Sequence, residues 1–315
     1  VRRRRSRTQT MLRSIQRIER DLLAKAKETF YQYYGPMFKA ESSETDFEQR
    51  FTEVCTHQTN RFTQPREIAR GNGGIVHKAK FRSNNSTTDS QALVLVDVAI
   101  KSCNVVDVAA NHRLLVEARL MLLMKHPAIV PLLGIHLLKA TRPWMVTSFM
   151  ANGDLKTYLR RLRQSQLNNG VTTSGDNVKA FTIESALGVV KSLASGLAYL
   201  YRVGIIHGDI AARNVLCGSP ATHVVLSDFG NALPSWLATC GNLGDRYSAA
   251  GPSVPFRWMA PEALLESKLS HESDVWSFGV LLWEIDSYGK TPYGMLGYDD
   301  VKQQLLKGGR LPKQP

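Results

Sequence analysis

The chain has 315 residues, of which 43% are hydrophobic, and a formal net charge of +13. This length and composition suit two modest domains, or one two-lobed domain, with a substantial apolar core. No run of about 18 or more apolar residues occurs, so the sequence predicts no segment that spans a membrane. The four cysteines fit no metal-binding spacing, and we expect reduced thiols, as in a cytosolic domain.

Most of the positive charge lies at the start of the chain, where residues 1–20 hold eight arginines against one acid. The block Arg2–Arg7 fits a solvated tail, a nucleic-acid arm, a localisation signal or the cytoplasmic flank of a membrane span. Among the functional alternatives we favour the membrane flank, because basic residues after a span stay cytoplasmic and meet anionic lipid. Nucleic acid is disfavoured, since no aromatic residues alternate with the arginines and no recognition fold follows.

Apolar residues then recur at steps of three and four from Leu12 to Phe30, which predicts an amphipathic helix. We expect this helix to lie on the folded domain rather than to form a coiled coil with a partner. Gly35–Pro36 breaks the pattern. Residues 37–62 are mixed and polar, and we interpret them as a linker that completes a basic segment, 1–62.

Two lobes are predicted after this segment, in an α+β fold. Residues 63–150 contain short β-branched runs and one helix near Leu114–Met124, the pattern of a small β-rich lobe. Residues 151–315 form a mostly helical lobe, with the polar stretch 164–180 as a surface insert. The predicted helices of this larger lobe are 154–163, 183–203, 273–287 and 298–307.

A glycine-rich loop and two charged residues form the first chemical pattern. Gly71–Gly74 lies between predicted strands, and small residues there let backbone N–H groups approach phosphate, although a plain hairpin fits equally well. Lys101 ends an apolar strand and could bind phosphate if a carboxylate held it in place. Glu117 lies among apolar neighbours on the predicted helix, so it requires a cationic partner.

The decisive pattern is His207–Asn214, which reads HGDIAARN and joins a helix to an apolar strand. Asp228–Gly230, the tripeptide DFG, follows shortly after. Asp209, Asn214 and Asp228 supply hard oxygen ligands for Mg²⁺ and an acceptor for a hydroxyl proton, as phosphoryl transfer needs. DFG alone is common, but the two patterns in this order and spacing are rare by chance.

These segments, together with Met259–Glu262 and Ser273–Gly279, resemble the protein kinase superfamily and, within it, the tyrosine kinases. The resemblance runs from about Phe62 to the end of the chain. It implies the two-lobed kinase fold with ATP and Mg²⁺ as cofactors. It also implies transfer of the γ-phosphoryl group of ATP to protein hydroxyls.

The resemblance assigns roles to individual residues. Asp209 would accept the hydroxyl proton, with Arg213 in the same loop, while Asn214 and Asp228 would bind Mg²⁺. Lys101 would bind phosphate, with Glu117 as its ion-pair partner. The implied nucleotide-binding set, which includes the gatekeeper Thr147 and the hinge residues after it, is Ala69, Gly71, Gly74, Val76, Ala99, Lys101, Thr147, Ser148, Met150, Leu216 and Asp228.

Tyrosine specificity is implied at two places. Ala211 stands where kinases for serine and threonine usually carry lysine, and Pro255–Trp258 resembles the substrate loop of tyrosine kinases. The catalytic loop, His207–Asn214, is similar in form to that of receptor kinases. This similarity implies that the chain lies at the cytoplasmic face of the plasma membrane and that a parent receptor dimerises. A cytoplasmic location is the alternative, and a pseudokinase scaffold without catalysis is the alternative function.

Three departures from the family pattern stand out. Ala69 replaces the first glycine of the phosphate loop, and Gly208 replaces the arginine that usually precedes the catalytic aspartate. In the family, that arginine binds the phosphate group of a phosphorylated activation loop. We therefore expect phosphorylation of Tyr247 to have only a weak effect on activity. The helices that usually end the larger lobe do not follow, and we expect Glu262 to be buried without its usual arginine.

Overall fold

A computed structural model gives the three-dimensional structure of the chain. It describes residues 17, 21, 24–31, 49, 51, 55–56, 62–71, 74–83, 94–103, 107–138, 142–167, 182–239 and 254–313. The chain divides into two compact units. The first contains Val1–Lys125 and Val130–Phe149, and the second contains His126–Ile129 and Met150–Pro315.

The first unit is built on a six-stranded sheet with the strand order β1-β5-β6-β4-β3-β2. All neighbouring strands are antiparallel except β1 and β5. The elements of this unit are β1 (Cys55–Thr56), β2 (Phe62–Gly71), β3 (Gly74–Ser83), β4 (Val94–Ser102), α1 (Val108–Leu123), β5 (Leu132–Leu138) and β6 (Arg142–Ser148).

Alternation along the second half of β4 buries one face of the sheet there. Val98 and Ile100 are buried and form a cluster with Ala79 of β3 and Val146 of β6. Helix α1 begins after Asp107, whose carboxylate accepts a hydrogen bond from the Ala110 N–H at 2.9 Å, the usual means of satisfying a free N–H at a helix start.

The N-terminal segment lies on the first unit, as predicted for its helix. Residues 24–31 are helical, and Phe30 is fully buried. Thr29 Oγ1 lies 3.0 Å from His112 Nε2 of α1, and the Arg119 guanidinium lies 3.6 Å from the ring centroid of Phe51. The other apolar positions of the predicted helix face, Leu12, Ile15, Ile18 and Leu22, lie outside the described residues.

The interpretation of residues 37–62 as a linker is wrong for part of that range. Phe51 is buried, and Cys55–Thr56 forms β1, which pairs with Ile135 and His136 of β5. A strand of two residues is too short to show an alternating pattern, so sequence periodicity could not predict it.

The second unit is mostly helical, with two small sheets of order β10-β9-β7 and β11-β8. Its helices are α2 (Leu155–Leu167), α3 (Ile183–Arg202), α4 (Ser235–Thr239), α5 (Pro261–Glu266), α6 (His271–Asp286) and α7 (Tyr298–Leu306). Its strands are β7 (Gly153–Asp154), β8 (Ile205–Ile206), β9 (Val215–Cys217), β10 (Val224–Leu226) and β11 (Leu233–Pro234).

Helix α3 packs against β8, β10 and α6 through Val189, Leu193, Gly196 and Leu200, which are buried. In the described part of the chain, α3 is the helix whose length and composition would allow it to cross a membrane, with a mean hydropathy of 1.2. Its contacts with the strands that carry the site described below make it a structural helix of this unit.

Candidate active site

Four predicted nucleotide-binding residues share one face of the first unit's sheet. Val76 lies opposite Lys101 in the β3–β4 pair, and Ala99 lies opposite Thr147 in the β4–β6 pair. Residues directly opposite each other, and residues two apart in one strand, point to the same side of a sheet. The register therefore places all four on the face opposite the buried Val98–Ile100 cluster, and each is half-buried.

Lys101 on this face forms an ion pair with Glu117 of α1. The lysine Nζ lies 3.0 Å from both carboxylate oxygens, and the side chains are only 16% and 5% exposed. A charge pair with so little solvent interacts more strongly than a surface pair, and removal of one member would leave the other charge uncompensated. The pair fixes the ammonium group at the end of β4.

The glycine-rich loop joins β2 and β3, whose last residue pair is Gly71 with Gly74. Gly74 has φ of 119°, and a Cβ there would lie 2.4 Å from the carbonyl oxygen of Ser102, so this position accepts glycine only. Ala69 lies in the paired part of β2, opposite Val76, where a methyl side chain is compatible with the strand. Residues 72 and 73, at the tip, lie outside the described residues.

Of the other residues predicted to contact the nucleotide base, Ser148 lies in the first unit, and Met150 and Leu216 lie in the second. Ser148 ends β6 opposite Val98. In the second unit, Met150 is buried and its carbonyl accepts a hydrogen bond from the Gly153 N–H at 3.1 Å. Leu216 is the half-buried central residue of β9.

Asp209 in the second unit has both carboxylate oxygens engaged. Arg213 donates to Oδ1, and the Asn214 amide nitrogen donates to Oδ2 and to the Asp209 carbonyl, each at 2.8 Å. These bonds orient the carboxylate. Because the side-chain nitrogen of Asn214 is occupied by these hydrogen bonds, its side-chain oxygen is the atom that can bind a cation.

The loop that carries Asp209 is held at its start by Asp274 of α6. This buried carboxylate accepts hydrogen bonds from the N–H groups of His207 at 2.7 Å and Gly208 at 2.9 Å. Burial raises the pKa of Asp274, while these bonds and the neighbouring His207 oppose the rise. Gly208 has φ of 75°, in the left-handed region that side chains other than glycine rarely adopt.

Asp228 has a backbone conformation that is uncommon for residues other than glycine, with φ of 62° and ψ of 72°. Such a residue costs about 1–3 kcal/mol and persists where its surroundings enforce it. The surroundings do so here, because Phe229 is buried with its ring centroid 4.8 Å from that of His207. The preceding Ser227 also donates from N and Oγ to the Asn214 carbonyl, each at 2.9 Å.

Asn214 and Asp228 fit a magnesium ion shared with a nucleotide. No group of three or more His, Cys, Asp or Glu side chains suited to a metal occurs among the described residues. Magnesium is commonly held by one or two carboxylates, with substrate phosphates and water completing its shell. One carboxylate and one amide oxygen match that pattern.

A contact that the sequence did not predict joins the catalytic loop to the substrate loop. The Arg213 guanidinium lies 4.2 Å from the ring centroid of Trp258. One oxygen of Glu284, Oε2, accepts hydrogen bonds from the Trp258 indole N–H and the Ala212 N–H, each at 2.8 Å. Burial raises the pKa of Glu284, which is fully buried, while these bonds and nearby Lys156 and Arg213 oppose the rise.

The remaining sequence-predicted positions have mixed outcomes. Ala211 is fully buried against Trp258 and Val280. Glu262 is half-buried rather than buried, and it forms no ion pair within the described part of the chain. Its backbone carbonyl accepts hydrogen bonds from the N–H groups of Ser267 and of Lys268, the latter at 3.4 Å. Tyr247 lies outside the described residues.

The fold agrees with comparisons to known proteins. The chain is 37% identical to ephrin type-B receptor 3 of Xenopus laevis over 197 residues, 62% of the chain and 18% of that receptor. It is 36% identical to tyrosine-protein kinase Abl of Drosophila melanogaster over 253 residues, 79% of the chain and 13% of that protein. It is 34% identical to human tyrosine-protein kinase TXK over 247 residues, 78% of the chain and 40% of TXK.

The chain therefore spans less than half the length of these relatives. The sequence profile of the protein tyrosine and serine/threonine kinases matches residues 62–315, which is most of the chain. The chain belongs to the protein tyrosine and serine/threonine kinase family.

Proposed function

We propose that this chain is the catalytic part of a protein tyrosine kinase, which transfers the γ-phosphoryl group of ATP to tyrosine hydroxyls. The observation that carries the proposal is the geometry around Asp209. Its carboxylate is oriented by Arg213 and Asn214, as a residue that accepts a hydroxyl proton requires.

The other predicted site residues support the same reaction. Lys101, fixed by Glu117, supplies a positive charge for phosphate oxygens. Asn214 and Asp228 would hold Mg²⁺, which neutralises charge on the phosphates when bound. Catalysis would then consist mainly of positioning and electrostatic stabilisation, as in kinases generally.

A tyrosine acceptor is supported by residues near Asp209. Ala211 occupies the position of the lysine that is usual in kinases for serine and threonine, and its buried methyl group packs on Trp258 of the substrate loop. The relatives named above also include two whose names are those of tyrosine-protein kinases. A peptide library that yields mainly phosphoserine or phosphothreonine would refute this part of the proposal.

We further propose a receptor-type parent, with the chain at the cytoplasmic face of the plasma membrane. The similarity to ephrin receptors and the arginine block of residues 2–7 support it, and a receptor parent would be expected to dimerise. The chain should then bind vesicles that contain anionic lipid but not neutral vesicles. Replacement of the five arginines of the block by alanine should abolish that binding, and equal binding to the two kinds of vesicle would contradict the membrane role of the block.

The catalytic proposal is tested with Asp209→Asn and Lys101→Met, assayed with ATP, Mg²⁺ and tyrosine peptides. Asp209→Asn keeps a similar side-chain volume, so we expect a folded protein. Lys101→Met leaves the buried Glu117 carboxylate without its partner and should cost about 3–5 kcal/mol of stability, so circular dichroism sets the temperature at which both variants are folded and compared. Loss of one preorganised charge typically lowers the rate about 10²–10³-fold, and we expect at least that loss for each. Undetectable phosphorylation by the wild-type chain would favour the pseudokinase alternative, and full activity of Asp209→Asn would remove Asp209 from the mechanism.

A further inference from the structure

A lysine–aspartate pair lies on the nucleotide face of the first unit's sheet, the side that carries Ala99 and Lys101. Lys78 of β3 is directly opposite Ala99 of β4, so its side chain lies on the same side of the sheet. Asp97 precedes Ala99 by two residues in β4 and therefore shares this side. Neither Lys78 nor Asp97 belongs to the set assigned above to ATP, Mg²⁺ or proton transfer.

The aromatic ring of Phe149 completes this group. Phe149 directly follows β6, and its N–H donates a hydrogen bond to the Asp97 carbonyl at 3.4 Å, which extends the pairing of β6 with β4 by one residue. Residues two apart in an extended chain point to the same side, so the ring lies on the side of Thr147. The Lys78 Nζ is 4.1 Å from the centroid of this ring, which is a cation–π contact.

Lys78 is held by two partners at once. Its Nζ lies 2.8 Å from Asp97 Oδ2, and the two side chains are 38% and 40% exposed. The hydrogen bond from Lys78 holds the pKa of the Asp97 carboxyl below its usual range, so this group is a carboxylate at neutral pH. A partly exposed ion pair contributes little to stability by itself. Here it directs the ammonium group onto an aromatic ring, where the cation–π attraction adds to it.

The segment that carries Phe149 is the one predicted to meet the nucleotide base. Phe149 stands between Ser148 and Met150, both predicted to contact that base. Asp97 precedes Lys101 by four residues, about 13 Å along β4. A nucleotide whose phosphates meet Lys101 therefore has its base toward the Phe149 end of the face. A binding segment that is already held in place loses less freedom when the ligand arrives.

We propose that Lys78 is a positioning residue for ATP. Held by Asp97, it packs on Phe149 and keeps the segment after β6 in the conformation that binds the base. It acts through the aromatic ring and makes no contact with ATP itself. The proposal rests on the proposed kinase function, since ATP is the ligand, and it concerns the affinity for ATP and not the phosphoryl-transfer step.

The test variant is Lys78→Met, which keeps the length of the side chain and removes its charge. Equilibrium binding of ATP to the 315-residue chain, and KM for ATP in peptide phosphorylation, are measured beside the wild type. A cation–π contact at a partly exposed site changes a binding constant roughly two- to five-fold. We expect Kd and KM for ATP to rise by that factor with kcat unchanged. Lys78→Arg should restore the wild-type values, because a guanidinium group also pairs with carboxylates and stacks on aromatic rings.

Lys80→Met is the matched control. Lys80 is exposed on the same strand and lies directly opposite Asp97, so this variant removes an equal charge beside the same carboxylate while Lys78 keeps its contact with the ring. A double-mutant cycle with Phe149→Leu isolates that contact. Once the aromatic ring is gone, Lys78→Met should have no further effect, whereas a general loss of charge or stability would have the same effect in both backgrounds.

Unchanged ATP affinity in Lys78→Met would overturn the proposal, as would an effect of equal size in Lys80→Met or in the Phe149→Leu background. A fall in kcat with KM unchanged would also overturn it, because the position of the base should not alter the transfer step. Weaker ATP binding by Lys78→Met in a chain that phosphorylates no peptide would support the role of Lys78 and refute only the proposed catalysis. A wild-type chain that binds no ATP would overturn both.

Discussion

Glu284 offers the sharpest test of how the substrate loop is held, because one of its oxygens accepts two hydrogen bonds. Glu284→Ala would leave the N–H groups of Ala212 and Trp258 without an acceptor. Each buried donor that loses its partner costs about 1–3 kcal/mol, so we expect a loss of about 2–6 kcal/mol in the free energy of unfolding. Water entering the new space would move the result toward the lower figure.

Glu284→Gln separates the hydrogen bonds from the charge. Its amide oxygen can accept both N–H groups, and its amide nitrogen replaces Oε1, which has no hydrogen-bond partner among the described residues. We therefore expect Glu284→Gln to be much more stable than Glu284→Ala. Asp286→Ala is the control, since Asp286 is exposed on the same helix and surface changes usually stay within about 0.5 kcal/mol.

The assay is urea unfolding and thermal melting of the three variants beside the wild-type chain. A loss of 2 kcal/mol corresponds to a fall in Tm of roughly 4–8 °C for a domain of this size. If Glu284→Ala melts together with Asp286→Ala, the two hydrogen bonds contribute nothing to stability. If Glu284→Gln is as damaged as Glu284→Ala, the charge and not the hydrogen bonding is responsible.

Three further outcomes follow from the same geometry. Burial raises the pKa of Glu284, so this carboxyl group binds its proton more tightly in the folded protein than in the unfolded chain. The stability of the wild type relative to Glu284→Gln should therefore fall as pH rises from about 4.3 through the pKa of the folded state. A difference in Tm that stays constant between pH 4 and pH 8 would contradict this. Gly74→Ala should lower the free energy of unfolding in urea by at least about 1–3 kcal/mol, because of the positive φ and the contact with Ser102. Gly71→Ala should lower it by less than about 1 kcal/mol, because the space around Gly71 is open. Equal losses would refute the steric argument. Gly208→Ala should cost about 1–2 kcal/mol through its positive φ, and an unchanged urea midpoint would show that the loop relaxes.

The sequence predicted helices α3, α6 and α7 to within about two residues at each end. Helices α3 and α7 have clear apolar periodicity, whereas α6 is indicated by its apolar run from Val280 to Ile285. Helix α2 continues to Leu167, although 164–180 was interpreted as an insert. The last turn of α2 carries almost entirely polar side chains, so periodicity gave no sign that the helix continued. Residues 168–181 lie outside the described residues.

The start of helix α1 was likewise not predicted by apolar periodicity. The sequence placed it near Leu114–Met124, but it begins at Val108. Its first turns contain β-branched Val108 and polar Asn111, which are weak helix formers, and the cap formed by Asp107 compensates for them. The charged partners were easier to predict, since Glu117 among apolar neighbours required a cation and Lys101 is 3.0 Å away.

The acids of α6 show why part of the site was missed. Asp274 enters the sequence-based prediction only as part of the family segment Ser273–Gly279. Glu284 is not predicted as a site residue, because the apolar run of α6 from Val280 to Ile285 indicates packing. An acid in an apolar helix nevertheless indicates a buried carboxylate with hydrogen-bond or charge partners, since burial without partners would cost several kcal/mol. What the sequence cannot supply is the partner, because both acids bind backbone or indole N–H groups that are remote in the chain.

These two acids together explain how the catalytic loop is positioned. Asp274 binds the N–H groups of His207 and Gly208, and Glu284 binds that of Ala212, so Asp209 lies between two anchored points of the backbone. The acids are ten residues apart on one helix, which corresponds to about 15 Å along its axis. A straight helix with an acid at each end holds both sides of the loop at a fixed distance. Because Asp209 also bonds to Arg213 and Asn214 within the loop, a displacement of either anchor would move the carboxylate itself.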